Sequence, residues 1–156
     1  MAQRSALTSG QSGVAGEYFV AAELARRGYV ASLTLRNTRG IDILASNANA
    51  TRSVGIQVKS TQGNHDSWLV NAKDAKSTAT NLFYIFVSMN GLAMPRYYIV
   101  PRRAVAQYAA AFHKQWLAGR KKDGSRRKDT TMRKFADPEG KYLNAWHLLK
   151  LGPASA

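Results

Sequence analysis

The chain contains no cysteine, which excludes disulfides and thiolate metal centres and fits a reducing compartment. Acidic residues are scarce: 9 Asp and Glu stand against 23 Lys and Arg, a formal net charge of +14. That imbalance favours a polyanionic partner, nucleic acid foremost, because neutralising phosphates releases counterions. Charge alone leaves a basic RNA-associated protein equally open. No apolar run approaches membrane-spanning length, and the stretch Met1 to Ser9 lacks the apolar core of a signal peptide, so the expected location is the cytoplasm. No Gly-rich phosphate loop, nucleophile elbow or His-Glu-x-x-His pattern occurs. His65, His113 and His147 show no metal-ligand spacing, and Trp68, Trp116 and Trp146 read as core residues.

What is present suffices for one domain with a proper core: 156 residues, 45% of them hydrophobic. The richest segment is a pair of short β-branched runs, Gly40 to Leu44 and Val54 to Lys59, separated by the turn-forming residues Ser46 to Thr51. A hairpin closing about Asn49 and Ala50 sets Asp42 opposite Gln57, with Lys59 on the same face and Val54, Ile56 and Val58 on the other. A carboxylate, an amide and an ammonium are then expected beside an apolar layer. Upstream, Glu17, Val20, Ala21 and Leu24 stand at i, i+3, i+4 and i+7, which puts Glu17 on an inward helical stripe and Glu23, Arg26 and Arg27 off it. An inward carboxylate needs a cation as partner, because desolvating it alone costs several kcal/mol.

An Asp in one strand followed by acid-x-Lys in the next resembles the PD-(D/E)xK nuclease superfamily, here as Asp42 with Gln57-Val58-Lys59. The Gln-x-Lys form is similar to Mrr-like restriction endonucleases, and the small layout is similar to archaeal Holliday-junction resolvases. Glu17 matches the Glu that the family often places on its first helix. The resemblance covers about the first sixty residues. It implies a Mg2+ or Mn2+ ion held by Asp42, Glu17, the Val58 carbonyl and the Gln57 amide oxygen, with Lys59 polarising the attacking water. Two departures stand out. Ile41 replaces the family's Pro before the Asp, and Gln57 removes one negative charge from the cation's ligand set.

Further along, Trp68 to Val70, Leu82 to Val87 and Arg96 to Val100 read as strands. A helix follows Pro101, with Val105, Tyr108, Ala109, Phe112 and Trp116 on one stripe and Gly119 at its end. Residues 120–129 carry six basic and two acidic side chains, and Arg120, Lys121, Lys122, Arg126, Arg127 and Lys128 are the candidate phosphate contacts.

The order helix, three strands, helix, strands, helix predicts an α/β domain, a restriction-endonuclease-like core with a mixed central sheet flanked by helices. Its expected extent is 13–150, with a mobile basic loop at 120–134 and flexible ends at 1–12 and 151–156. Ser60 and Thr61 are expected to contact phosphate or to cap a loop. The function read from these features is metal-dependent DNA endonuclease. The alternative is a catalytically inactive nucleic-acid-binding module on the same fold. Pairing of two subunits to cut both strands is an expectation by analogy only.

Overall fold

The computed structural model describes residues 7–35, 40–73 and 79–152. Helix α1 (Ser9–Arg26) starts on a capping box, in which the Thr8 hydroxyl accepts from the Gln11 amide and the Gln11 side chain accepts from the Thr8 amide. Residues 9–12 therefore belong to α1, and Ser12 is buried, which corrects the flexible N-terminus expected there. Five strands form the main sheet: β1 (Val30–Leu33), β2 (Ile43–Ser46), β3 (Ser53–Thr61), β5 (Leu82–Ser88) and β6 (Arg96–Pro101), in the spatial order β1-β2-β3-β5-β6. In this sheet β3 and β5 run parallel, and the other neighbours are antiparallel. A second sheet pairs β4 (Ser67–Asn71) with β7 (Met132–Ala136), and α2 (Arg102–Ala118) packs beside it. The helix expected between the third strand and Leu82 falls largely on residues 74–78, outside the described residues.

Alternation along β3 and β5 divides the core in two. Ile56, Val58, Phe83, Ile85 and Val87 pack with Val20 and Leu24 of α1. Tyr84 and Phe86 point the other way, toward Trp68, Tyr98, Val105 and Phe135 under α2 and the second sheet. Each layer excludes water from apolar surface worth roughly 25 cal/mol per Å². Gly16 is the point of closest approach between α1 and β3, since a Cβ there would lie 2.9 Å from the Ser60 Cβ. Ser60 donates to the Ser12 carbonyl at 2.7 Å and so clamps the helix to the strand.

Three further expectations change. Glu23, read as outward, is buried and bonded to Arg26 at 3.2 Å and Arg27 at 3.3 Å, with the Arg27 guanidinium lying over the Trp146 ring. The basic segment is hydrogen-bonded: the backbones of Arg120 and Arg126 pair in a short antiparallel bridge, the Lys121 amide donates to the Ser125 carbonyl, and residues 132–134 belong to β7. Leu151 is buried in the first core layer, so the expected flexible tail does not begin there. Among the described residues no helix is long and apolar enough to cross a membrane.

Candidate active site

Turn chemistry closes the β2–β3 hairpin. Asn47 accepts the Arg52 amide on its side-chain oxygen at 2.9 Å, and Ala50 takes a left-handed conformation at φ 56°. The ladder then runs Ile43↔Ile56, Leu44↔Gly55 and Ala45↔Val54, the register expected from symmetry about Asn49 and Ala50.

One residue before Ile43 the ladder breaks. The Asp42 amide donates to the Ile56 carbonyl at 2.8 Å, so Asp42 and Ile43 both face Ile56, the arrangement of a β-bulge. A bulge re-aims a side chain, and here the Asp42 carboxylate swings along the strand edge to accept the Val58 amide at 2.7 Å. It replaces the backbone acceptor that an unbroken β2 would have supplied. Beyond Ile56, β3 continues unpaired by β2 as far as Thr61, and the two strands diverge into a notch.

Three devices hold the bulge. The Thr34 amide donates to the Asp42 carbonyl at 2.9 Å, and the Thr34 hydroxyl donates to the Ile41 carbonyl at 2.6 Å. Gly40 turns with φ +69°, and the Arg102 guanidinium lies 3.4 Å from where its Cβ would sit. Arg102 is itself buried at the start of α2, near the face of Tyr84. Thr34 and Arg102 escaped the sequence reading. Gly40, standing just before an apolar run, was the one available signal.

The bulge also corrects the expectation that Asp42, Gln57 and Lys59 share a face. Asp42 lines a cleft of about 250 Å³ with Gly13, Val14 and Glu17 of α1 and with Thr34. Gln57 and Lys59 lie on the opposite face of β3, where Gln57 pairs in register with Tyr84 and Lys59 with Phe86. Glu17 and Asp42 thus approach the notch from the α1 side, while Gln57 and Lys59 flank Val58 from the other. Gln57 is 9% exposed, so its amide is not solvated. Its Oε1 has no hydrogen-bond partner among the described residues, and a buried orphan acceptor costs about 1–3 kcal/mol. Thr61 Oγ1, further along the same face, is also buried without a partner.

The donors lining the cleft are oxygens, the Asp42 and Glu17 carboxylates, with the Val58 carbonyl at the strand edge; the orphan Gln57 Oε1 lies on the opposite face of β3. The Val58 carbonyl projects to the same edge as its amide, because an extended residue presents both groups to one neighbour. Hard divalent cations take such ligands. No group of three or more His, Cys, Asp or Glu side chains forms among the described residues, so a cation here would rest on two carboxylates and neutral oxygens.

The candidate phosphate contacts lie elsewhere. Arg120, Lys121, Lys122, Arg126 and Lys128 are exposed past the C-terminal end of α2, whereas Arg127 is half-buried over the Trp116 ring and donates to the Trp116 carbonyl at 2.8 Å.

A mixed sheet, a first helix bearing Glu17 and a bulged Asp42 next to the strand of Gln57, Val58 and Lys59 make up an α/β protein. No protein-family model and no curated protein matches the chain. Among solved structures it is similar to a bacterial homing endonuclease, I-Ssp6803I, at 15% identity and a TM-score of 0.55, over 92% of this chain and 93% of that one. It is also similar to Hjc, a Holliday junction resolvase of Archaeoglobus fulgidus, at 14% identity and a TM-score of 0.47, over 80% and 84% of the two chains. The first of these likenesses shows that the fold is the restriction-endonuclease-like one that the PD-(D/E)xK resemblance implies.

Proposed function

We propose that the chain is a divalent-cation-dependent DNA endonuclease that hydrolyses phosphodiester bonds at the notch between β2 and β3. The observation that carries this reading is the bulged Asp42, whose carboxylate holds the Val58 amide beside Glu17. Asp42, Glu17, the Val58 carbonyl and Gln57 Oε1 would hold Mg2+ or Mn2+. When bound, such an ion neutralises phosphate charge and activates water. The protein supplies the rest. Lys59 orients the attacking water and offsets the negative charge that grows on the phosphate, a task suited to a compact ammonium. Val58 is fixed by its bond to Asp42, so the carbonyl edge and the Lys59 backbone keep one geometry. The basic surface past α2 contacts phosphates and sets register on the duplex without reading sequence. Two copies of the chain, each with one site, would be needed to cut both strands.

One observation favours a second reading, a nucleic-acid-binding module without catalysis: Gln57 stands where the superfamily places a carboxylate. Cleavage of supercoiled, linear and branched DNA with Mg2+ or Mn2+ separates the two. Cutting that disappears in Asp42→Ala supports the enzyme, and salt-sensitive binding without any cutting by the parent chain supports the module.

A further inference from the structure

Away from the notch, a cleft of about 350 Å³ opens between the second half of α2 and the outer face of the β4–β7 sheet. Phe112, His113 and Trp116 form its wall; Leu69, Met132 and Lys134 supply its floor and edge. Leu69 is 61% and Met132 46% exposed, large apolar groups left in water beside aromatic rings. Trp68 and Trp146 are buried at 3% and 6%, whereas Trp116 is half-buried on this open wall, so the core assignment holds for two of the three tryptophans. Cations already lie against the rings: Arg127 is 5.0 Å from the Trp116 centroid and Lys134 is 5.8 Å from that of Phe112. Residues 120–134 carry eight basic side chains against two acidic ones.

An apolar peptide would satisfy Leu69 and Met132 but not the cationic rim, and a second copy would bring its own positive charge to it. An unpaired nucleobase has a π-face for the wall and a phosphate for the rim. Base–aromatic stacking with flanking cations is how sequence-tolerant single-strand binding is built.

We infer that this cleft binds an unpaired base of a DNA strand, with the adjoining phosphates on Lys134 and the 120–128 turn. The inference shares its nucleic-acid partner with the function proposed above, but not its chemistry. From Arg102, beside the Gly40 turn, the cleft lies 10–14 residues along α2, about 15–21 Å at the helical rise. The base held is therefore several nucleotides from the strand at the notch, and DNA with unpaired nucleotides is the preferred ligand over fully paired duplex.

The test is fluorescence anisotropy of the full chain in EDTA, with a labelled 20-nucleotide single strand and a duplex of equal length. Phe112→Leu and Trp116→Leu remove the rings but keep apolar bulk, and circular dichroism with thermal unfolding checks their fold. Stacking energies measured by truncation predict a roughly tenfold loss of single-strand affinity in the double variant, with duplex affinity changed by less than about threefold. Quenching of tryptophan fluorescence by the single strand should disappear in Trp116→Leu. Parallel loss for both DNA forms, or no loss for either, overturns the inference. Asp42→Ala should keep the single-strand preference, so a failed cleavage assay and a failed base cleft are told apart.

Discussion

Replacing Asp42 separates its two roles. The first is structural: the carboxylate accepts the Val58 amide at 2.7 Å, where an unbroken β2 would have presented a carbonyl. A hydrogen bond to a charged acceptor contributes about 1.5–3 kcal/mol, and the half-buried setting argues for the lower end. Asp42→Ala should therefore cost about 1.5–2 kcal/mol. Asp42→Asn retains an oxygen that accepts the same amide and should cost about 0.5–1 kcal/mol. For a domain of this size 1 kcal/mol shifts Tm by about 2–4 °C, so alanine lowers Tm by roughly 5 °C and asparagine by roughly 2 °C. The second role is electrostatic: both variants remove the charge, and both should weaken Mn2+ binding at least about tenfold. Differential scanning calorimetry in EDTA reads the first role and isothermal titration with MnCl2 the second. Equal Tm losses for the two variants would contradict the amide bond, and parental Mn2+ affinity in Asp42→Asn would contradict the cation site.

Other outcomes follow from the same geometry. Gln57→Glu should keep or tighten Mn2+ binding and Gln57→Ala weaken it, while Gln57→Leu, which removes the orphan oxygen, should raise the urea midpoint; identical titrations for glutamate, alanine and the parent would take residue 57 out of the site. Gly16→Ala forces a Cβ to 2.9 Å from Ser60 and should cost about 1–3 kcal/mol, whereas Gly13→Ala meets nothing within 4 Å and should gain about 0.5–1 kcal/mol of helix stability, both read from urea unfolding. Asp123 is held below its usual value of 3.8 by the Ser125 hydroxyl and amide. A depressed carboxylate keeps its bonds above the ordinary value and loses them as pH falls through the lowered one, so the Ser125 amide shift should titrate with a midpoint under 3.8; a midpoint at or above that value contradicts the bond. Replacing Arg120, Lys121 and Lys122 by Gln should flatten the salt dependence of DNA binding by about 0.9 in log–log slope for each phosphate no longer neutralised, and an unchanged slope removes the turn from the interface.

The hairpin was legible because its information is local: Asn47 to Thr51 carry turn chemistry, and alternation in Val54, Ile56 and Val58 fixes which face is core. The bulge was not, since it depends on Thr34, just past the end of β1, which captures the Ile41 and Asp42 carbonyls. That strand is itself faint in sequence, because it is short and largely exposed. β7 hides inside a basic run, and only its pairing with β4 and the buried Phe135 reveal it. Glu23 was misplaced because a helical stripe records what one helix presents and not what returns to meet it: Trp146, on which Arg27 lies, is more than a hundred residues away. Around Asp42, the sequence showed polar side chains within apolar strands but not the sides they take. One bulged residue turned an expected one-face cluster into two pairs on opposite faces of β3.

The most direct measurement is the anomalous diffraction of Mn2+ in crystals of the chain with DNA. A peak is expected within ligand distance of the Asp42 carboxylate and the Val58 carbonyl, with Glu17 on its α1 side. A fully soaked crystal whose only Mn2+ peaks lie away from Asp42 would contradict the proposed site.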